Sequence, residues 1–274
     1  PMAMEKLLTV SSDKFGATMK NSQSFKKICV IGLGYVGLPT AAVFASKGFD
    51  VLGVDTNPQT IKQINSRKLN TTEPDLDNLV NEAIAIGKLR VANAPEPADA
   101  FIIAVPTPFT VDHKPDLSHI DAAADSLASL LTADNIIIIE STIPVGSTER
   151  FSARLANMCR DLEFPVTDGN NSDICIAHSP ERVLPGQVLA ELTENDRVIG
   201  GITIGCAKRA AGLYQKISNG RCFLTTAQTA ELVKLTENAY RDVSIAFANE
   251  LANVSEVLGI NPWEVIKLAN HHPR

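Results

Sequence analysis

Short runs of β-branched and apolar residues alternate with amphipathic stretches along most of the chain. The runs Lys27–Leu33, Val51–Asp55, Ala100–Val105, Asn135–Glu140, Ile174–His178, Arg197–Gly200 and Arg221–Leu224 read as strands. Segments near 38–47, 58–66, 75–86, 117–131, 147–158 and 203–217 read as helices between them. Ile136 to Ile139 are apolar at every position, as in a strand covered on both faces. Such alternation predicts an α/β fold with a doubly wound, mainly parallel sheet. The pattern changes at Thr226. From there to Leu258 there is neither Gly nor Pro, and apolar residues fall at helical spacing. Gly259 supplies a stop, Asn261 a cap and Pro262 a first-turn residue for one more helix. At about 1.5 Å per residue the long helix runs about 45–50 Å, more than one small domain covers. It is expected to join two domains or to form a subunit interface. The organisation expected is a mobile N-terminal extension over 1–25, a nucleotide-binding domain over 26–225, and over 226–274 the long helix and the start of a second region.

Composition narrows the class. The 274 residues carry 25 Lys+Arg against 31 Asp+Glu, a net charge of −6, and 45% are apolar. That suits a globular chain and argues against non-specific binding to nucleic acid or to an anionic membrane surface. No apolar run approaches the roughly 18 residues that span a bilayer. The polar first residues lack the apolar stretch of a signal peptide. Five scattered cysteines (Cys29, Cys159, Cys175, Cys206, Cys222) form no CxxC pair, which argues against a disulfide scaffold or a zinc module and points to the reducing cytoplasm. His113, His119, His178, His271 and His272 show no metal-ligand spacing, so no metal is expected.

The strongest local signal is Gly32-Leu33-Gly34-Tyr35-Val36-Gly37, between a strand and a helix start. Gly32 permits the tight turn, Gly34 lets backbone N–H groups approach a pyrophosphate, and Gly37 allows close helix–strand packing at a helix N-terminus. The next strand ends in Asp55, 18 residues after Gly37, where a carboxylate accepts hydrogen bonds from an adenosine ribose. This context marks a Rossmann-type sheet rather than an unrelated Gly-rich turn. An acid at 55 with no nearby Arg favours NAD over NADP, because a 2′-phosphate would repel it. Two later strand ends, Val105-Pro106-Thr107-Pro108 and Glu140-Ser141-Thr142-Ile143-Pro144, are polar and Pro-punctuated. Ligands of such sheets lie at the carboxyl ends of the strands, so Thr107 and Thr142 are candidates to line the dinucleotide; taken singly, each is also ordinary turn chemistry.

Two further groups bear chemistry. His178-Ser179-Pro180-Glu181-Arg182-Val183 ends a strand and sets a carboxylate beside a guanidinium. Arg182 offers fixed donors to a phosphate or uracil edge, and Glu181 offers a group to orient or deprotonate water; a plain surface pair is the alternative. On the long helix, Glu231, Lys234, Asn238 and Arg241 share one stripe, opposite Leu232, Leu235, Ala239, Val243 and Ala246. Such a stripe is ordinarily a solvated face. It becomes a site if the carboxyl edge of the sheet faces it, where an ammonium and an amide stabilise a developing alkoxide.

These residues together resemble the UDP-glucose/GDP-mannose dehydrogenase family over about Lys26 to Arg274. The resemblance is carried by GLGYVGLP at 32–39, VPTP at 105–108, ESTIPVGST at 140–148, SPERVLPG at 179–186, AELVKLTENAYRDVSIAFANEL at 230–251 and NHHPR at 270–274. The forms SPERVLPG and TENAYRDVSIAFANEL are most similar to the branch acting on UDP-N-acetyl-D-mannosamine; the UDP-glucose branch carries a second carboxylate where Pro185 stands here. The resemblance implies two successive NAD-dependent oxidations at C6 of a UDP-sugar, through an aldehyde and an enzyme thioester, to the uronic acid. By motif, Lys234 is the proton donor and acceptor at the C6 oxygen and Asn238 its partner, while Glu181 and Thr142 handle water. Arg182, Val183, Lys234, Asn238, Arg241, His272 and Arg274 match nucleotide-sugar contacts. Gly32, Gly34, Tyr35, Val36, Gly37, Asp55, Thr107 and Thr142 match NAD contacts. A homodimer through the 226–258 helix is expected.

In that family a Gly-rich motif with a nucleophilic cysteine follows the HPR segment, and then a UDP-binding domain. This sequence ends first, and none of its cysteines lies in such a motif; Cys29, Cys175 and Cys222 fall in predicted strands, where inert thiols are expected. An N-terminal fragment that binds NAD without completing the four-electron oxidation is therefore expected. Other readings of the same residues are a UDP-glucose or UDP-N-acetylglucosamine 6-dehydrogenase, a non-catalytic NAD-binding and dimerisation module, and a β-hydroxyacid dehydrogenase that oxidises its substrate once.

Overall fold

A computed structural model describes residues 25–67, 69, 71, 73–166, 172–182 and 186–272. The expected N-terminal extension, apart from Phe25, lies outside the described residues. Eight strands form one sheet: β1 (Lys27–Ile31), β2 (Asp50–Val54), β3 (Leu89–Ala92), β4 (Ala100–Ile103), β5 (Ile136–Ile139), β6 (Cys175–His178), β7 (Arg197–Gly201) and β8 (Cys222–Thr226). Their spatial order is β3-β2-β1-β4-β5-β6-β7-β8. Every neighbouring pair is parallel except β6 and β7, which run antiparallel through Ala177↔Gly201 and His178↔Gly200. This is the expected doubly wound, mainly parallel architecture. The order turns outward in both directions from β1 and β4, and the crevice between their carboxyl ends is where such sheets bind ligands.

Helices α1 (Gly37–Ser46), α3 (Pro74–Ala85), α6 (Val188–Glu194) and α7 (Ile204–Tyr214) contribute to a core on one face of the sheet. Helices α4 (Ser118–Leu127) and α5 (Ser147–Met158) contribute to a core on the other. α2 (Pro58–Asn65) follows β2, with Asn57 accepting from the Gln59 N–H as its cap. The period-2 geometry of strands sorts each one between the two cores: Ile136 and Ile138 join the first, Ile137 and Ile139 the second, which is why all four are apolar. Two elements were absent from the sequence reading. β3 is a four-residue edge strand carrying Arg90, too short and polar to stand out. α6 is only seven residues long, and its start is held by a distant carboxylate: Glu73 accepts from the Gly186 and Val188 N–H groups at 3.0 and 3.1 Å. The helix expected over 117–131 ends its α-form at Leu127 and finishes as a 3-10 turn.

Residues Phe25–Leu235 form one compact body, and a second begins at Thr236. Helix α8 (Ala227–Leu258) provides the last residues of the first body and most of the described residues of the second. Within the second, Gly259 at φ +69° ends α8, and Asn261 caps α9 (Pro262–Ala269) by accepting from the Trp263 N–H at 3.0 Å. Among the described residues no helix is long and apolar enough to cross a membrane.

Phe44 carries α1 onto the first core. It is fully buried and meets Phe49 edge-on at 5.6 Å between ring centroids and Tyr214 at 6.1 Å. Phe44→Ala is expected to cost about 3–5 kcal/mol, read as a lower urea midpoint at unchanged m-value.

Candidate active site

A cavity of about 770 Å³ opens at the carboxyl ends of β1, β2, β4 and β5. Its first wall is the glycine turn. Gly32 sits at φ +92°, donates its N–H to the Val54 carbonyl at 2.8 Å, and has no room for a side chain: a Cβ would lie 2.6 Å from the Ala104 carbonyl oxygen. A Cβ on Gly37 would lie 1.8 Å from the Gly32 carbonyl oxygen, so α1 starts in direct contact with the turn. Gly34 differs. A Cβ there would meet no atom within 4 Å, and the space above it belongs to the cavity. The turn thus leaves its backbone open to a ligand at the N-terminus of α1, the arrangement a pyrophosphate requires. Tyr35 and Val36 line the same cavity, with Tyr35 48% exposed.

Asp55 at the end of β2 is already committed. Its Oδ2 accepts the Leu33 N–H at 2.9 Å and its Oδ1 the Asn57 N–H at 2.8 Å. A carboxylate has about four lone-pair sites, so two remain for ribose hydroxyls. An open glycine turn and a carboxylate beside it fit NAD, and of the residues expected to contact it Gly32, Gly34, Tyr35, Val36 and Asp55 line this cavity, while Gly37 packs behind them.

The opposite wall is built from the strand ends after β4 and β5. The Thr107 hydroxyl donates to the Thr142 carbonyl at 2.7 Å, and the Ser141 hydroxyl to the Val105 carbonyl at 2.7 Å. Both loops are therefore cross-linked, and Thr107 spends its proton on structure. Thr142, Glu181 and Lys234 line the cavity as well.

Lys234 reaches this position through Glu231, one turn earlier on α8. Glu231 is buried, and its carboxylate covers the N-terminus of α5. Oε2 accepts the Gly146 N–H at 2.6 Å; Oε1 accepts the Thr148 N–H at 2.8 Å and its hydroxyl at 2.6 Å. Burial pushes this carboxyl above its ordinary value, while the Thr148 and Gly146 donors oppose the shift. The ordinary expectation for the stripe is therefore inverted: Glu231 is buried and Lys234 partly so, whereas Leu232 is 54% exposed and Val243 68% exposed. Asn238, Arg241 and His272 belong to the second body. There Arg241 is exposed and pairs with Asp242 at 3.8 Å, and His272 is exposed.

Arg182 is exposed and donates to the Asp196 carbonyl at 3.2 Å; it does not line the cavity. Val183 and Arg274 lie outside the described residues. None of the five cysteines lines the cavity. Burial pushes the Cys29 thiol up to about 12 and Cys222 upward as well. Cys206, in the first turn of α7, departs from the inert pattern: the Cys175 thiol and the Thr203 hydroxyl donate to its sulfur and lower it below the ordinary thiol range. Among the described residues no cluster of His, Cys, Asp or Glu is arranged to hold a metal ion.

Three groups near the cavity escaped the sequence reading as functional residues. His119 of α4 lines it. His178 is fully buried at the end of β6, where burial, reinforced by the Lys234 ammonium, pushes it down to about 4 and keeps the ring neutral. Glu140 also lines the cavity. The one available signal was a charged residue directly after four isoleucines.

Residues 26–218 match the UDP-glucose/GDP-mannose dehydrogenase family, NAD binding domain, and residues 228–274 match the central domain of the same family. The chain is 54% identical over 250 residues to an NDP-N-acetyl-D-galactosaminuronic acid dehydrogenase of Ralstonia solanacearum, covering 91% of this chain and 59% of that protein. It is 55% identical over 251 residues to a UDP-N-acetyl-D-mannosamine dehydrogenase of Campylobacter jejuni, covering 91% and 62%. A solved structure of a UDP-D-ManNAc dehydrogenase from Pyrococcus horikoshii superposes with a TM-score of 0.84 at 44% identity, covering 90% of this chain and 58% of that one. The chain thus spans about 60% of the length of these relatives.

The Glu231 cap yields a direct test. Glu231→Gln turns one acceptor into an N–H group facing backbone donors. A cost of about 1–3 kcal/mol in urea unfolding is expected; an unchanged midpoint would show that the cap carries no weight.

Proposed function

Because the chain belongs to the UDP-glucose/GDP-mannose dehydrogenase family, we propose that it holds the NAD site and proton-handling residues of an NAD-dependent nucleotide-sugar 6-dehydrogenase. The cavity itself carries this reading: one continuous space runs from the open glycine turn and Asp55 to Lys234. Bound NAD supplies the hydride acceptor. Lys234 holds and moves the proton at the C6 oxygen of the sugar, and Asn238, one helical turn along α8, donates to that oxygen as negative charge develops. Glu181 and Thr142 orient water for the hydrolytic step. Arg182, Val183, Arg241, His272 and Arg274 serve the nucleotide-sugar. UDP-N-acetyl-D-mannosamine is the preferred substrate, in keeping with the Campylobacter relative and the SPERVLPG loop, with an NDP-N-acetyl-D-galactosamine substrate next, after the Ralstonia relative. The 26–225 and 226–274 division remains the proposed domain organisation, with α8 serving a homodimer.

Cofactor binding separates two glycines. Gly34→Ala is expected to leave stability within about 0.5 kcal/mol, since its Cβ meets no atom, yet to weaken NAD at least about tenfold by filling the space above the turn. Gly37→Ala is expected to unfold the site outright, because its Cβ collides with backbone. Calorimetric titration with NAD and urea unfolding measure both; normal NAD affinity in Gly34→Ala would remove the pyrophosphate from this turn.

Activity tests the rest. With NAD and UDP-N-acetyl-D-mannosamine, the chain is expected to form NADH by a single oxidation and no uronate, because none of its cysteines lines the cavity to trap the aldehyde. Lys234→Ala should slow NADH formation by about a hundredfold or more while NAD affinity stays within about twofold. Sustained uronate production, or no response to any UDP-hexosamine, would defeat the reading.

A further inference from the structure

Directly after β5 stands a carboxyl group that the reaction above does not use. Glu140 is 2% exposed yet lines the cavity. Its Oε1 accepts the Tyr214 hydroxyl at 2.6 Å and its Oε2 the Thr40 hydroxyl at 3.1 Å. The Arg197 guanidinium lies 4.4 Å from the Tyr214 ring centroid, so α1, α7 and β7 all converge on this carboxyl. Glu140 follows β5, three strands from β2 and its Asp55. At about 4.8 Å per strand that is on the order of 14 Å across the cavity mouth, toward Glu181 rather than the adenosine end.

We propose that Glu140 makes the cavity distinguish the two redox states of its cofactor, its carboxylate favouring NAD, whose oxidised ring is a cation, over NADH, whose ring is neutral. The inference rests on the reading of the cavity as the NAD site. The two cofactor forms share their phosphates, riboses and adenine, and differ in the charge of one ring. A carboxylate in a poorly solvated wall near that ring attracts the cation and gains nothing from the neutral form.

The groups facing Glu140 decide when it is charged. Burial pushes the carboxyl up to about 7, Glu181 adds to the rise, and Arg197, Tyr214 and Thr40 oppose it. His178, beside Ile139 on the next strand, stays neutral over this range, and Lys234 lines the same cavity. Glu140 therefore changes charge near neutrality. NAD should favour its ionised form and displace its proton. The free group titrates near 7 and the bound group lower, by about one unit for an opposite charge close by. NAD affinity should then rise about tenfold as pH climbs through that interval, while NADH affinity shows no such rise. Effects of His119 on the shared parts of the cofactor cancel in the comparison.

The test is the affinity of the 274-residue chain for NAD and for NADH, titrated separately from about pH 5.5 to about pH 8.5, a range that brackets the carboxyl. The profiles should diverge in the unaltered protein and run parallel in Glu140→Gln. Tyr214→Phe removes a donor to the carboxylate and should move the NAD rise to higher pH, which keeps the proposal exposed if Glu140→Gln does not fold. Parallel profiles in the unaltered chain, or divergence that survives Glu140→Gln, would overturn it. Binding of neither form would overturn the cofactor site and this inference with it.

Discussion

The buried Glu231 carboxylate, closed over the first N–H groups of α5, is the contact on which the candidate site depends. Four N–H groups at a helix start have no intrahelical partner, and the positive end of the helix dipole lies among them. One carboxylate satisfies two of them and a hydroxyl besides. It thereby fixes the start of α8 to the loop after β5. Lys234 follows three residues later on the same helix, so the bond that fixes Glu231 also brings it to the cavity.

The same economy recurs along the edge of the sheet. Thr107 and Ser141 bind the β4 and β5 loops to one another, and Glu73 holds the start of α6 from 113 residues away. Side chains that look like ligand contacts in sequence are here partly spent on holding the loops that carry the site. Gly34 keeps its backbone open to a ligand, and the side chains of Tyr35, His119, Glu140 and Lys234 line the same cavity.

The fold was legible because its signals are local and repeated. All-apolar strands, the Gly32–Gly37 turn and the Gly259-Asn261-Pro262 punctuation each have one mechanical meaning. The edge strand β3 and the short α6 were not, since their positions come from pairing with β2 and from the Glu73 carboxylate. The site was half legible. Asp55, Thr107, Thr142, Glu181 and Lys234 do line or support one cavity, but the stripe on α8 reads as a solvated face until the partner of Glu231 is known. Arg182, equally chemical in sequence, donates to the Asp196 carbonyl and does not line this cavity. Glu140 and Tyr214 stand 74 residues apart, and no spacing rule connects them.

The double commitment of Asp55 limits how the proposed cofactor site could be re-engineered. Switching such a pocket toward a phosphorylated ribose ordinarily begins by removing the acid at the end of the second strand. Here that acid also tethers Leu33, inside the glycine turn, and Asn57, the cap of α2. A neutral or basic replacement would loosen the glycine turn before it altered selectivity, so a new preference would require a second anchor for Leu33.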